Sequence, residues 1–197
     1  MQVLVRLAGQ RLFASRLYSP DRLQIGEGVE IGGIVERYFE KKTRIDHIAI
    51  AVHDLDEAIL LYRDVFGFKL LNERTIRGTF SGMISAELDA GGFSIVLVQG
   101  TDPESQVTRY VNQYGPGVQH VAIEVDDVQR TADKLRASGL QFATDVIRGA
   151  DLIQIFTRRD SNSGMMFEFI ERQFDADGFE TDNIQNLFNQ LEKSNAC

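Results

Sequence analysis

The sequence predicts an α+β fold in which two copies of one βαβββ module pair to form a cupped mixed sheet. Two observations lead to this prediction. Residues 46–71 and 119–144 align with each other without a gap, so the sequence contains an internal repeat. Within each copy, alternating apolar residues give way to apolar residues at helical spacing and then to alternation again. One module alone would leave a sheet face exposed, and two modules side by side bury it.

The elements of each module follow in a fixed order. After the first strand, Asp54 or Asp127 is the expected N-cap of a helix, which ends near Gly67 or Gly139. Two more strands follow, separated by turns rich in Gly or Asn. They are "SGMISAEL" and "FSIVLVQ" in the first copy, and "DLIQIFT" and "MMFEFIE" in the second. An additional strand is expected around "LLNERTI" and around "QFATDVI".

These elements define the expected domain organisation. We expect an N-terminal extension over 1–43, a first module over 44–103, a helical connector over 104–114, a second module over 115–174 and a C-terminal lid helix over 175–197. The apolar residues of the last helix share one face, which predicts that this face packs against the rest of the fold: Ile184, Leu187, Phe188 and Leu191.

Composition excludes several classes of function. The formal net charge of −8 argues against nucleic acid or an anionic membrane as a partner. No apolar stretch reaches the length of a membrane span. Cys197 is the only cysteine, so we expect no internal disulfide and no buried cysteine nucleophile. A cytoplasmic location fits best, and organellar import is the alternative because arginines without acidic residues occupy the N-terminus: Arg6, Arg11 and Arg16.

The first strand of each module has one face suited to a cavity. Successive side chains of a strand point to opposite sides. His47 therefore shares a face with Ala49 and Ala51, and β-branched residues occupy the other face and suit packing against a helix. His120 occupies the same position in the second copy. The duplication predicts that both imidazoles point into one cavity, although a lone histidine in a strand is also commonly a satisfied core residue.

A third candidate ligand is Glu168, which stands between two phenylalanines in "MMFEFIE". A buried carboxylate is costly unless a positive charge neutralises it. A metal ion held with His47 and His120 would do so, and two histidines with one carboxylate are typical of non-haem Fe(II) oxygenases. The alternative is a buried arginine partner, for which the candidates are Arg158, Arg159 and Arg172.

The duplication also indicates how many ligands to expect. Val96 occupies the position of the first module that corresponds to Glu168. A fourth protein ligand is therefore missing. Three ligands leave room for a bidentate substrate and dioxygen, whereas four would suit an epimerase or isomerase that binds no oxygen.

Four motifs occur in order along the chain: "SQVTRYVNQYGPGVQHVAIEVDDV", "LIQIFT", "FEFIER" and "GFETDNIQNLF". Together they resemble the vicinal oxygen chelate superfamily. Within it, residues 44–192 resemble the C-terminal, catalytic half of 4-hydroxyphenylpyruvate dioxygenase. The resemblance implies Fe(II) held by His47, His120 and Glu168, with a 2-oxo acid and dioxygen as the small-molecule partners. The expected reaction is oxidative decarboxylation and hydroxylation, and family habit suggests a homodimer.

The same resemblance assigns residues around the substrate. The family's active-site glutamines correspond to Gln106, Gln119 and Gln154, of which Gln154 is expected to act in catalysis with the metal centre. The serine of its "SGxxS" stretch corresponds to Ser81, and a ring-packing phenylalanine corresponds to Phe156. The closing helix carries Ile184 where the family has a second ring-packing phenylalanine.

Two other departures from the family concern the pocket rather than the metal. Its Pro-x-Asn reads Val98-Gln99-Gly100 here, and the family's N-terminal half is replaced by about forty unrelated residues. We therefore expect a substrate other than 4-hydroxyphenylpyruvate.

Two other functions remain open. "IDHIAIAVHDLDEAILLYRDVFGF" also resembles the opening of methylmalonyl-CoA epimerase. The alternative enzyme is thus a metal-dependent epimerase or isomerase of the methylmalonyl-CoA epimerase or glyoxalase type. A metal-free binding protein of the drug-sequestering kind is the third reading, and the retention of all three candidate ligands argues against it.

Overall fold

The computed structural model describes residues 43–173 and 181–194. The predicted N-terminal extension therefore lies almost entirely outside the described residues, as do parts of the predicted lid segment. The strands are β1 (Arg44–Ala51), β2 (Lys69–Arg77), β3 (Gly82–Asp89), β4 (Ser94–Gly100), β5 (Gly117–Glu124), β6 (Ile147–Arg148), β7 (Leu152–Phe156) and β8 (Met166–Arg172). The α-helices are α1 (Leu55–Ile59), α2 (Gln106–Tyr114), α3 (Val128–Ala137) and α4 (Thr181–Ser194), and α1 continues as a π-helix over Leu60–Val65.

The strands form one eight-stranded mixed sheet in the order β2-β3-β4-β1-β5-β8-β7-β6. The first module supplies the first four strands and the second module supplies the other four in mirrored order. Antiparallel pairing of β1 with β5 joins the modules at the centre. Within each module the first and last strands pair in parallel, β1 with β4 and β5 with β8. The predicted fold class, two βαβββ modules in one curled α+β sheet, is confirmed.

Each face of the sheet has its own helices. On the convex face, α1 packs on the branched side chains of β1, including Ile48 and Ile50, and α3 packs in the same way on Ile123 of β5. On the concave face, α2 and α4 contribute Val107 and Phe188 to a cluster with Ala51. The histidine-bearing faces of β1 and β5 therefore lie on the concave side. In the chain that the structure describes, no helix has both the length and the apolar character of a membrane span.

The additional strand differs between the modules. In the first, β2 pairs with β3 along its length. In the second, only the short strand β6 and an isolated bridge between Phe142 and Thr157 form. Thr144 provides a physical reason, because its hydroxyl accepts the hydrogen bond of the Phe156 N–H at 3.0 Å. A side-chain oxygen thus accepts the hydrogen bond that a backbone carbonyl of a paired strand would accept, and regular strand pairing with β7 stops at Phe156.

Equivalent aspartates cap the two convex helices, as the repeat predicts. Asp54 Oδ1 accepts a hydrogen bond from the Glu57 N–H at 2.9 Å, and Asp127 Oδ1 accepts one from the Arg130 N–H at 2.8 Å. Each carboxylate therefore satisfies a backbone donor that the first turn leaves unpaired. The acidic positions mark where each chain segment turns from strand to helix.

We expect Asp127→Ala to lower the free energy of unfolding by about 1 kcal/mol, because the first turn of α3 loses its cap. Asp127→Asn keeps an acceptor and should cost only a few tenths of that. The measurement is urea denaturation followed by circular dichroism. Asp126→Ala is the matched control, since Asp126 is exposed and adjacent. Equal losses in the Asp126 and Asp127 variants would contradict the capping role.

Candidate metal centre

The structure brings His47, His120 and Glu168 together on the concave face of the sheet. They lie on the neighbouring central strands β1, β5 and β8. The Nε2 atoms of the two histidines are 3.2 Å apart. Glu168 Oε2 lies 3.1 Å from His47 Nε2 and 3.6 Å from His120 Nε2. Three potential ligand atoms thus converge on one point from three strands.

Neighbouring side chains fix which nitrogen of each imidazole faces this point. His47 Nδ1 lies 2.9 Å from Asp46 Oδ1, and His120 Nδ1 lies 3.0 Å from Gln119 Oε1. Because both partners are acceptors, each Nδ1 carries a hydrogen and each neutral Nε2 presents a lone pair. With both imidazoles neutral, neither oxygen of Glu168 has a hydrogen-bond donor among the residues described. Three electron-pair donors therefore face one another, an arrangement that a cation stabilises.

The arginine that the sequence offers as a partner for Glu168 pairs with another carboxylate. Arg172 donates two hydrogen bonds to Asp46, from Nε at 2.8 Å and from Nη2 at 2.9 Å. Arg158 is exposed, and Arg159 lies over the ring of Tyr110. Asp46 therefore connects Arg172 to His47 through hydrogen bonds. The structure favours the metal interpretation of Glu168 over an arginine pair.

The pKa shifts of the three residues also reflect how close these electron-pair donors lie to one another. Burial lowers the pKa of His47, but the carboxylates of Glu168 and Asp46 outweigh it and raise that pKa to about 9. Burial, together with the charge of His47, holds the pKa of His120 well below its ordinary value. Burial raises the pKa of Glu168 despite the attraction of His47. A proton on His47 and a metal cation are therefore competitors for one position, since ligands bind metals without the proton.

The spacing of the three atoms suits a transition-metal ion. If each donor is about 2.1 Å from the ion, adjacent donors are about 3.0 Å apart in octahedral and about 3.4 Å apart in tetrahedral coordination. The observed separations of 3.1, 3.2 and 3.6 Å lie within about 0.2 Å of one or the other value. Mixed imidazole and carboxylate ligands suit Fe, Zn, Ni or Cu better than Mg or Ca.

Strand register places Val96 at the position equivalent to Glu168. Val96 pairs with Ala49 on β1, and Glu168 pairs with Ala122 on β5. The offset of 73 residues between His47 and His120 also relates Ala49 to Ala122. The first module therefore presents an apolar side chain to the cavity where the second presents a carboxylate.

Most of the predicted substrate contacts line the cavity above the metal centre: Gln106, Gln119, Gln154, Phe156 and Ile184. Two of them present polar atoms that have no partner among the described residues. These atoms are the carbonyl oxygen Oε1 of Gln106 and the amide nitrogen Nε2 of Gln119. Both side chains are buried. One acceptor and one donor are thus available within the cavity.

Ser81, which the resemblance predicts as a substrate-binding residue, does not line this cavity. Its hydroxyl donates to Glu192 Oε1 on α4 at 2.5 Å, in a groove outside the metal cavity. Ser85, four residues further along β3, lines the cavity instead. The motif "SGMIS" contains both serines. Because positions four residues apart in a strand point to the same side, alternation alone does not tell which serine lies in the cavity.

Helix α4 covers the cavity and is attached to both modules. Near its start, Asn183 Oδ1 accepts a hydrogen bond from Gln154 Nε2 at 2.9 Å. Near its end, Glu192 Oε2 accepts one from the Thr79 N–H at 2.9 Å. Between these contacts, apolar side chains point into the cavity: Ile184, Leu187, Phe188 and Leu191. Gln154 therefore holds the covering helix as well as lining the cavity.

Sequence reasoning missed Asp46 and Asn183 as site residues. Asp46 precedes His47 as Gln119 precedes His120, so the repeat itself marks both positions as orienting partners. Asn183 carries no comparable signal, because its contact with Gln154 joins segments 29 residues apart.

The family model of the glyoxalase/bleomycin resistance protein/dioxygenase superfamily matches residues 44–169. Among curated proteins, 4-hydroxyphenylpyruvate dioxygenase of Legionella pneumophila (strain Corby) is 26% identical over 189 residues, which cover 77% of this chain and 54% of that protein. The enzyme of the same name from Pseudomonas aeruginosa is 28% identical over 189 residues, with 77% and 52% coverage. The chain thus spans about half the length of these curated relatives.

Solved structures give the same fold. A triple mutant of 4-hydroxymandelate synthase from Streptomyces coelicolor matches 78% of this chain and 55% of its own, with a TM-score of 0.71 and 23% identity. Methylmalonyl-CoA epimerase from Mycobacterium tuberculosis matches 66% of this chain and 87% of its own, with a TM-score of 0.56 and 28% identity. Methylmalonyl-CoA epimerase, whose opening segment the sequence resembles, is therefore among its structural neighbours.

We expect the protein to bind one divalent transition-metal ion, and His120→Ala to lower the affinity at least about tenfold because one of three ligands is lost. Isothermal titration with Co(II), and with Fe(II) under anaerobic conditions, measures this. The control is His53→Ala, the same substitution at an exposed histidine. Indistinguishable metal binding in the two variants would rule out the proposed ligand.

Proposed function

This chain belongs to the glyoxalase/bleomycin resistance protein/dioxygenase superfamily, and from that premise we propose that it is a non-haem Fe(II)-dependent dioxygenase acting on a 2-oxo acid. One observation carries the proposal. His47, His120 and Glu168 form a three-donor face, while Val96 occupies the position of a fourth ligand. An open metal face suits a reaction in which both a chelating substrate and dioxygen bind.

The proposed reaction is oxidative decarboxylation coupled to hydroxylation. One oxygen atom of dioxygen enters the new carboxylate as carbon dioxide leaves, and the other forms a hydroxyl group on the same product. A bound Fe(II) ion would supply the activation of dioxygen. The protein holds the ion through His47, His120 and Glu168, and Asp46 and Gln119 keep the two imidazoles oriented.

The unpaired amide atoms are suited to orienting the substrate. Gln119 Nε2 is a donor, and Gln106 Oε1 is an acceptor. A buried polar atom without a partner is costly, so a bound group that satisfies it gains affinity. Phe156 is fully buried beside His120, with 5.1 Å between ring centroids, and provides an apolar wall. These contacts would fix the direction of a 2-oxo acid within the cavity.

Exclusion of water is the proposed role of α4. Its apolar face closes the cavity, and its two ends are attached to different modules through Asn183 and Glu192. Oxygen chemistry requires such shielding, because water that reaches reactive intermediates diverts them into side reactions.

The pocket supports a substrate other than 4-hydroxyphenylpyruvate. Gln99 Oε1 accepts a hydrogen bond from the Leu55 N–H at 2.7 Å, so this amide is directed to the start of α1. A side chain at position 100 would collide with Thr108, whose backbone nitrogen would lie 2.8 Å from the added Cβ of Gly100. The segment that reads Pro-x-Asn in the family therefore supplies no amide to this cavity.

A metal-dependent epimerase is the second candidate. The epimerase from Mycobacterium tuberculosis is matched over 87% of its length, whereas the dioxygenases are matched over about half of theirs. Val96 argues against this candidate. A metal that enolises its substrate needs no position for dioxygen, so a fourth protein ligand would suit it, and Val96 cannot be that ligand.

We expect the Fe(II)-loaded protein to consume dioxygen and release carbon dioxide in equal amounts with a suitable 2-oxo acid. An oxygen electrode and carbon dioxide trapping on a panel of 2-oxo acids measure the ratio, and ¹⁸O₂ should label both the new carboxylate and the new hydroxyl group. His120→Ala should abolish the reaction and His53→Ala should not. Proton exchange into an acyl-CoA thioester without oxygen uptake would instead identify the epimerase.

A further inference from the structure

The two walls of the cavity differ at positions that the duplication makes equivalent. Glu87 pairs with Val96 across β3 and β4, and Phe156 pairs with Glu168 across β7 and β8. Since Val96 and Glu168 are counterparts, Glu87 is the counterpart of Phe156. The second module therefore contributes an aromatic ring to its wall, and the first contributes a carboxylate.

This carboxylate belongs to a buried ion pair. Arg74 Nη1 donates to Glu87 Oε2 at 2.9 Å, and the two side chains are 10% and 2% exposed. Arg74 lines the cavity among apolar side chains such as Met83 and Val98. Desolvating two charges costs several kcal/mol, and hydrophobic residues of similar size commonly stabilise a fold as well. Stability alone is therefore a weak reason for an arginine in this wall.

The pair lies away from the metal centre. Arg74 is on β2, which is separated from β1 by β3 and β4. Three strand spacings correspond to about 14 Å along the sheet. A substrate that chelates a metal at His47 and His120 would extend toward Arg74 with its opposite end.

We propose that Arg74 is a specificity-determining residue that donates a hydrogen bond to an uncharged polar group at the distal end of the substrate, with Glu87 neutralising its charge. This inference rests on the proposed function. The Arg74–Glu87 pair is neutral overall, and so is the Asp46–Arg172 pair. A divalent ion with Glu168 then leaves one positive charge, which the carboxylate of a 2-oxo acid balances.

The charge balance excludes a second carboxylate on the substrate. A distal carboxylate beside Arg74 would also lie near Glu87, and buried like charges repel strongly. An apolar distal end would leave the guanidinium without the group that it is placed to bind. The preferred distal group accepts a hydrogen bond and carries no charge, as a hydroxyl group does.

The test compares three 2-oxo acids with a six-carbon chain that differ only at the distal end: 2-oxohexanoate, 6-methoxy-2-oxohexanoate and 2-oxohexanedioate. The methoxy group is an uncharged acceptor that cannot close a ring on the keto group. Each acid is titrated anaerobically into the Fe(II)-loaded protein, and the charge-transfer band of the chelate gives its Kd. The methoxy acid should bind about 10- to 100-fold more tightly than either of the others. Arg74→Met should remove this preference and leave the affinity for 2-oxohexanoate within about threefold.

Glu87→Gln provides an opposite prediction that a merely structural role would not produce. Without the carboxylate of Glu87, the end of the cavity beside Arg74 carries one negative charge fewer, and 2-oxohexanedioate should gain at least about tenfold in affinity. Metal stoichiometry and melting temperature check that each variant is folded. If Arg74→Met fails to fold, the double variant Arg74→Met with Glu87→Leu, which removes both charges, supplies the same comparison.

Two outcomes would overturn parts of this scheme separately. Equal affinities of the wild-type protein for all three acids, or proportional changes in all three with Arg74→Met, would overturn the role of Arg74 while leaving 2-oxo acid chelation intact. The absence of a chelate band with every acid, in a protein that binds Fe(II), would overturn the proposed function itself.

Discussion

When both imidazoles are neutral, three lone pairs converge with no hydrogen donor between them among the described residues, and the site depends on this constraint. Asp46 and Gln119 each occupy the Nδ1 side of an imidazole, so both Nε2 atoms must face Glu168. In the buried cavity, neutralisation comes from a proton on His47 or from a cation held by all three residues. Arg172, which could have neutralised Glu168, is instead bound to Asp46. Asp46 thus both orients His47 and binds Arg172.

The duplication makes the two modules symmetric, and the site depends on the equivalent positions at which their residues differ. Both histidines occur at equivalent positions on the central strands, whereas the carboxylate occurs in one module only, opposite Val96. The walls diverge similarly, with Phe156 in one module and Glu87 in the other. A symmetric scaffold places the two histidines at the seam between the modules, and asymmetric substitutions then give a carboxylate to one module only and give the cavity an apolar and a polar wall.

The sequence predicted the fold class and the shared cavity face of His47 and His120, because each depends on short-range periodicity repeated twice. It predicted Glu168 on a different ground, since a carboxylate buried in an apolar strand is costly without a positive charge beside it. It could not separate Ser81 from Ser85, since both fit the same motif and the same strand face. It also could not locate the contact of Asn183 with Gln154 or the pair of Arg74 with Glu87. Those contacts depend on how separate segments approach one another, and neither periodicity nor spacing records that approach.

Helix α4 has a consequence for the kinetics of the protein. Gln154 of the second module holds its start, and the β2–β3 turn of the first module holds Glu192, so an organic ligand that enters past this helix displaces one of the two attachments. Loading and unloading of such a ligand would then follow the opening frequency of the helix rather than diffusion. Dissolved gases are small enough to escape that restriction, so dioxygen and carbon dioxide would exchange on a different timescale from the organic molecules.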